Sequence, residues 1–196
     1  RGSDRTMQIE LVRFATGEVL EGQLNGRPLA VTSTFGGGEV EVYTYASDDT
    51  GVISASVPAA WQLDGAPVAE FSSMAVSPDL ASWTAFYQGD RSAADTAGIF
   101  IVVVPTGSEI GNADLEEILD EAVIPDNCSY EGRFDYDDGF YAGFFDQSTC
   151  DNGGLHIAFA AIDPADPTFA ILVETVEITQ DDADATSEFY GTFFVF

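Results

Sequence analysis

From Gln8 to Phe14 the chain reads Q-I-E-L-V-R-F, an alternation that places Ile9, Leu11 and Phe14 near one face of a strand. Glu18 to Leu24 repeats the pattern after a Thr-Gly turn, and Asn25-Gly26-Arg27-Pro28 is a strong hairpin signal. Leu29 to Phe35 and Glu39 to Ala46 are β-rich and are separated by Gly36-Gly37-Gly38, so residues 7–46 are expected to form a small β-meander. Ser47-Asp48-Asp49-Thr50-Gly51 breaks the pattern and is the expected domain boundary.

A second set of elements is expected over residues 52–196. Val52 to Val57 alternates as a strand and Pro58 ends it; Phe71 to Val76 predicts another. Ser77-Pro78-Asp79 opens a helix, with Ser77 able to cap it and Leu80, Trp83 and Tyr87 on one face. Ile99 to Val104 is a buried strand closed by Pro105. Asn112 is expected to cap a second helix, whose Leu115, Ile118, Leu119 and Ala122 make a helical stripe. Two strands flank Asp138-Gly139, and Leu155 to Ile162 is a third. Phe169 to Thr179 is long and only partly alternating, which suits a central strand. Asp181-Asp182 opens a C-terminal helix with Ala183, Thr186, Tyr190 and Phe193 along it, although Gly191 weakens that helix.

Composition adds a core and an unusual surface. Hydrophobic residues make up 45% and aromatics 12% of 196 residues, enough to bury one substantial core. No apolar run approaches the roughly 20 residues of a membrane helix, so no membrane insertion is expected. There are 34 acidic residues against six arginines and no lysine, giving a net charge of -28. That charge repels nucleic acid and anionic lipid and sets both aside as partners. It leaves a heavily hydrated soluble surface or attraction to a basic partner. Arg1 to Thr6 (R-G-S-D-R-T) reads as a tag or the remnant of a processed leader and is set apart from the fold.

Both cysteines lie in one stretch, Cys128 to Cys150, around Asp138-Gly139. Positions 128 and 150 average to 139, so a hairpin turning there returns the two cysteines nearly opposite each other. Neighbouring strands can supply the Cα separation that a disulfide needs. A disulfide implies an oxidising compartment; two buried free thiols are the competing reading.

The remaining residues hold candidates for metal binding and for catalysis. Asp135, Asp137 and Asp138 precede Gly139 in D-Y-D-D-G and are weak calcium candidates. An EF-hand needs Gly at its sixth position and Glu at its twelfth, and neither condition is met here. His156, the only histidine, lies in L-H-I-A-F opposite in facing to Leu155 and Ile157, and reads as a strand histidine on a polar face. Ser92 in G-D-R-S is a superficial nucleophile lookalike without a G-x-S-x-G elbow. One histidine and two cysteines cannot make a zinc site, and no phosphate-binding loop is present in the sequence. No catalytic residue and no cofactor is therefore expected.

The pattern C-x-Y-x-G-R-x-D-Y-D-D-G-x-Y-x-G-x-F-D, starting at Cys128 with Cys150 soon after, resembles PsbP-like domains of secreted bacterial proteins. Such domains are often linked to trypsin-like serine proteases. V-P-A-A-W (Val57 to Trp61), L-H-I-A-F-A-A-I-D-P (Leu155 to Pro164) and F-A-I-L-V-E-T-V-E-I-T are similar too, so the resemblance covers about residues 52–196. It implies an α+β fold, a central antiparallel β-sheet flanked by helices in an αβα sandwich, with residues 7–46 as a small N-terminal β extension. It also implies that Cys128 and Cys150 are the family's paired cysteines and that the domain is noncatalytic. No protease domain is expected within these 196 residues, a departure from the family pattern, and residues 7–46 match no part of that pattern. The expectation is a secreted or extracellular module binding a protein or cell-envelope partner. Two alternatives stand beside it: a structural subunit that self-assembles through residues 7–46, and a hydrolase using His156.

Overall fold

The structure is a computed structural model; it describes three strands before residue 40, and residues 42–196 apart from positions 90, 92, 93 and 107. The chain divides into two compact units, Arg1–Val40 and Glu41–Phe196. In the first, β1 (Ile9–Leu11), β2 (Leu20–Leu24) and β3 (Arg27–Val31) form an antiparallel sheet in that order, with Leu24 opposite Arg27. The expected Asn25-Gly26 tip and the triple glycine lie outside the described residues.

The second unit begins earlier than the sequence pattern suggests. β4 (Tyr43–Ser47) pairs with β5 (Ile53–Pro58), from Tyr43 opposite Pro58 to Ser47 opposite Ser54. The stretch 47–51 is thus the end of β4 and the turn that follows it, not a boundary, and the break falls after Val40. The reason is Asp48, which is 5% exposed. Its carboxylate accepts hydrogen bonds from the Ile53 amide at 2.8 Å and the Thr50 amide at 3.1 Å, so a polar stretch closes a tight loop.

β6 (Gln62–Asp64), β7 (Ser72–Ser77), α1 (Leu80–Tyr87), β8 (Gly98–Pro105) and α2 (Asn112–Asp120) follow. Then come β9 (Cys128–Asp137), β10 (Ala142–Cys150), β11 (Leu155–Asp163), β12 (Asp166–Glu177), α3 (Gln180–Thr192) and β13 (Phe194–Val195). Seven of these strands make one antiparallel sheet in the order β6-β7-β8-β12-β11-β10-β9, and β13-β5-β4 make a smaller one. β12 stands in the middle, as its long apolar run predicts. The unit is α+β, with an antiparallel sheet flanked by helices.

Both faces of the large sheet are covered. On one, Met74, Val76, Ile99, Ile101, Phe159, Ile171 and Val173 pack against Ile53, Ala55 and Val57 of β5 and against Phe189 and Phe193 of α3 and its C-terminus. On the other, α1 seats Trp83 and Phe86 against Ala75, Cys150 and Val176, and α2 seats Leu115 and Leu119 against Ala158, Ala160 and Ala170. The buried face of α3 is Ala185, Thr186 and Phe189, so Ala183 of the expected stripe points elsewhere. Gly191 is exposed and a side chain there would meet nothing, which explains its tolerance in the helix.

Helix starts differ from the expected ones by one or two residues. Asp79, not Ser77, caps α1, taking the Ser82 amide at 3.2 Å; the Ser77 hydroxyl donates instead to the buried Ala97 carbonyl at 2.7 Å. Gly111 precedes α2 and its amide donates to Asp114 at 2.8 Å, which leaves Asn112 as the first helical residue.

Cys128 and Cys150 are bonded to each other and are directly opposed in the β9–β10 ladder. The alignment depends on a bulge. From Asp137–Ala142 to Gly132–Gln147 the pairing is regular; beyond it Tyr130, not Glu131, faces Ser148, and the one-residue shift brings the cysteines level. Gly132, at φ +151°, takes a backbone conformation that side chains disfavour. The bridge closes a separation of 22 residues. A Cys128→Ala, Cys150→Ala double variant is expected to lose about 3 kcal/mol of stability by the chain-entropy relation. Urea denaturation checks this, and an unchanged midpoint would show that the bridge contributes nothing.

Candidate functional site

α1 and α2 sit at different places on the same sheet face, and a groove of about 420 Å³ remains between them. Its floor is the sheet itself: Phe100 and Val102 of β8, Ala158 of β11, Leu172 and Glu174 of β12. Tyr87 and Arg91 form the α1 side; Ile118, Ala122 and Val123 form the α2 side. Tyr87 lies flat on Phe100, ring centroids 4.3 Å apart and planes within 6°, which fixes that wall.

Charge enters the groove at two places: Glu121 stands on the α2 side, and Glu174 with Arg91 lies on the floor and the α1 side. Glu174 lies on the sheet face that carries Leu172 and Val176, among apolar neighbours. One of its oxygens accepts from, or shares a proton with, His156 Nε2 at 2.8 Å. Arg91 forks onto both oxygens, with Nη2 to Oε2 at 2.9 Å and Nη1 on Oε1. The guanidinium also stands 4.6 Å above the Phe86 ring, and the same ring meets His156 edge-on at 6.1 Å. Burial works against the Glu174 charge. The hydrogen bonds from His156 and Arg91, together with the charge of Arg91, outweigh it and hold the carboxyl below its ordinary pKa. Glu174 is therefore ionised and answered by Arg91 in the same pocket.

His156 does face opposite to Leu155 and Ile157, but that face is not polar surface: Phe86 covers the ring, which is 2% exposed. Ser148 is directly opposite His156 on β10 and is also buried, yet the histidine is hydrogen-bonded to Glu174, not to a hydroxyl. Ser92 lies outside the described residues. A positioned base–nucleophile pair requires a hydrogen bond between the two, and none joins Ser148 to His156.

The D-Y-D-D-G carboxylates serve the hairpin turn. Asp138 accepts from the amides of Phe140 at 2.8 Å and Tyr141 at 2.7 Å, and from the Tyr136 hydroxyl at 2.8 Å. Asp137 accepts from the Gly139 amide at 2.9 Å. The tip spans 138–141, longer than a two-residue Asp-Gly turn, and Gly139 sits at φ +87°. Asp135 is exposed beside Phe144 and does not join them. Among the described residues no three His, Cys, Asp or Glu side chains converge as a metal-binding group.

Arg91 and Glu174 were not evident as site residues from the sequence. The one available signal was a glutamate in the apolar stretch F-A-I-L-V-E. Arg133 was visible only as part of the motif; in the fold it forks onto Asp146, both contacts at 2.8 Å, and reaches Asp120 of α2 at 3.0 Å.

The class these features define is an α+β sandwich with an open groove on one sheet face. No protein-family model matches the chain, and no curated protein matches it. Among solved structures, cyanobacterial PsbP (CyanoP) from Synechocystis sp. PCC 6803 has 10% identity and a TM-score of 0.46, covering 84% of this chain and 98% of that one. The Ran-binding protein Mog1p of Saccharomyces cerevisiae has 13% identity and a TM-score of 0.41, covering 80% and 96%. At these values neither likeness bears on function, and the α+β class rests on the sheets and helices themselves.

Proposed function

We propose that this chain is a secreted, noncatalytic PsbP-like module that binds a protein or cell-envelope partner, with the groove between α1 and α2 as a binding site. The observation that carries the reading is the groove's chemistry. Its lining is mostly apolar, with the exposed Glu121 on the α2 side, it is open to solvent, and its one buried carboxylate is already matched by Arg91 and His156. Such a site offers shape and apolar contact with an internally satisfied polar end, which suits binding. Among the described residues its lining holds no serine, threonine or cysteine beside a base, the pairing that acyl transfer or hydrolysis would need. The Cys128 to Cys150 motif supports the PsbP-like reading, and the bridge supports an oxidising, extracellular setting. No helix among the described residues is long and apolar enough to cross a membrane.

Nile red, a neutral fluorophore, tests the groove. It is expected to bind saturably with a blue-shifted emission. Ala122→Trp, which fills the exposed α2 rim without touching the ion triad, should weaken binding at least about tenfold, a change of roughly 1.4 kcal/mol. Equal binding by both forms would remove the groove as a site. The same preparation is expected to show no turnover on an ester and peptide panel. Turnover abolished by His156→Ala would overturn the noncatalytic reading and make the hydrolase alternative correct.

A further inference from the structure

We propose that β9 is a docking edge that takes up one extended segment of a partner protein, alternating basic and apolar side chains, as an eighth strand of the large sheet. This rests on the reading of the chain as a binding module and names the partner's chemistry and place.

The two ends of the sheet are unequal. β6, at one end, is three residues long. β9, at the other, is ten residues long, and no described strand pairs with its outer side. Its outward amides and carbonyls can therefore form a new ladder, and an edge of this length accepts a strand that a three-residue edge cannot. The edge is also held in place. β9 pairs with β10 from Cys128 to Asp137 apart from the bulge at Glu131, the Cys128–Cys150 bond fixes one end, and the Arg133 fork onto Asp146 fixes the middle. A partner strand would meet a pre-ordered template and would lose little freedom in it.

The side chains specify the occupant. Beyond the bulge, Arg133, Asp135 and Asp137 alternate with Phe134 and Tyr136. Phe134 is 45% exposed and stacks on Phe145, while Tyr136 meets Phe159 on the face that α3 covers. Asp135 and Asp137 are exposed on the opposite face, the one toward which Arg133 reaches Asp120 of α2. An added strand would thus set apolar side chains beside Phe134 and basic ones beside Asp135 and Asp137, because neighbours across a ladder share a face. Glu131, the exposed residue at the bulge, adds a third carboxylate.

No cation in this unit competes for those carboxylates, although Asp137 also accepts from the Gly139 amide. Of the six arginines, only Arg91 and Arg133 lie beyond residue 40, and both are committed, to Glu174 and to Asp146 and Asp120. The same charges argue against a second copy as occupant. Two β9 edges laid together would oppose aspartates to aspartates between molecules of net charge -28. An acidic edge of this kind blocks self-pairing and admits a basic strand.

The probe is an end-capped eight-residue peptide alternating lysine and valine, titrated into the whole protein, with an alternating glutamate and valine peptide as control. The basic peptide is expected to bind saturably at one site and to slow hydrogen exchange at the outward amides of residues 128–137, leaving residues 98–105 unchanged. Asp135→Lys with Asp137→Lys should weaken it at least about tenfold. Asp184→Lys with Glu188→Lys on α3 makes the same change in net charge away from the edge and should weaken it far less. Equal weakening by the two pairs would mean general attraction to an acidic molecule and would overturn the proposal, as would slowed exchange elsewhere than β9. So would a concentration-dependent dimer in light scattering that the β9 pair abolishes, which would place a second copy on the edge. The Nile red measurement with Ala122→Trp is read independently, so failure at the edge and failure of the groove are told apart.

Discussion

Trp83→Ala is expected to cost about 3–5 kcal/mol, the range for removing a buried large aromatic. Trp83 is fully buried on the inner side of α1, stacked on Phe86 at 5.1 Å and edge-on to Tyr87 at 6.1 Å. Its indole donates to the Ile99 carbonyl at 3.1 Å, so alanine would also leave a buried acceptor at the end of β8 without its partner. The surroundings are built for the ring: a Cβ on Gly98 would lie 2.4 Å from the Trp83 Cδ2. Urea unfolding of the variant checks the loss. Trp83→Phe should recover part of it by refilling volume without restoring the hydrogen bond. A loss under about 1 kcal/mol, the scale of ordinary surface changes, would show that α1 does not dock through this residue.

Glu174→Ala has the next largest expected effect, about 3 kcal/mol, because it leaves the Arg91 guanidinium and the His156 ring without their shared acceptor in a largely buried place. The pH dependence has a defined direction. Glu174 is held below its ordinary pKa of 4.5, so its contribution is fully present above that pH. It is lost as pH falls through the lowered folded value. Acid also relieves repulsion among the other carboxylates, so the useful quantity is the stability difference between wild type and Glu174→Ala. That difference should be constant just above pH 4.5 and shrink steadily below it. A difference that grows on acidification would reverse the assigned direction of the shift.

These two residues show what local pattern carries and what it cannot. Trp83 was legible as core because it repeats with Leu80 and Tyr87 at helical spacing. β12 was legible as a central strand because its apolar run serves both sheet faces. The β9–β10 hairpin was legible from Asp-Gly between aromatic strands, and its tip does fall there. The extra residue at Glu131 was not, since a bulge is a property of the pairing and not of one strand. Asp48 misled for a similar reason: a polar cluster looks like a linker until its carboxylate is seen closing a loop. The groove was the least visible feature. Arg91 and Glu174 stand 83 positions apart and meet only because α1 and β12 pack together. His156 was conspicuous by being alone, but its partner and its cover were set by neighbouring elements.

The bond at the foot of the β9–β10 hairpin has a consequence for force. If the chain is pulled from both ends, as by an unfoldase or a tethered surface, tension entering at Cys128 leaves at Cys150 through sulfur and never reaches the strands between them. At about 3.4 Å per extended residue, a separation of 22 positions keeps roughly 70 Å of contour length out of the stretched chain while the bond stands. The large sheet can be pulled apart from its other side while this hairpin, with Tyr130, Phe134 and its acidic side chains, stays a closed loop, so reduction would have to come before complete extension.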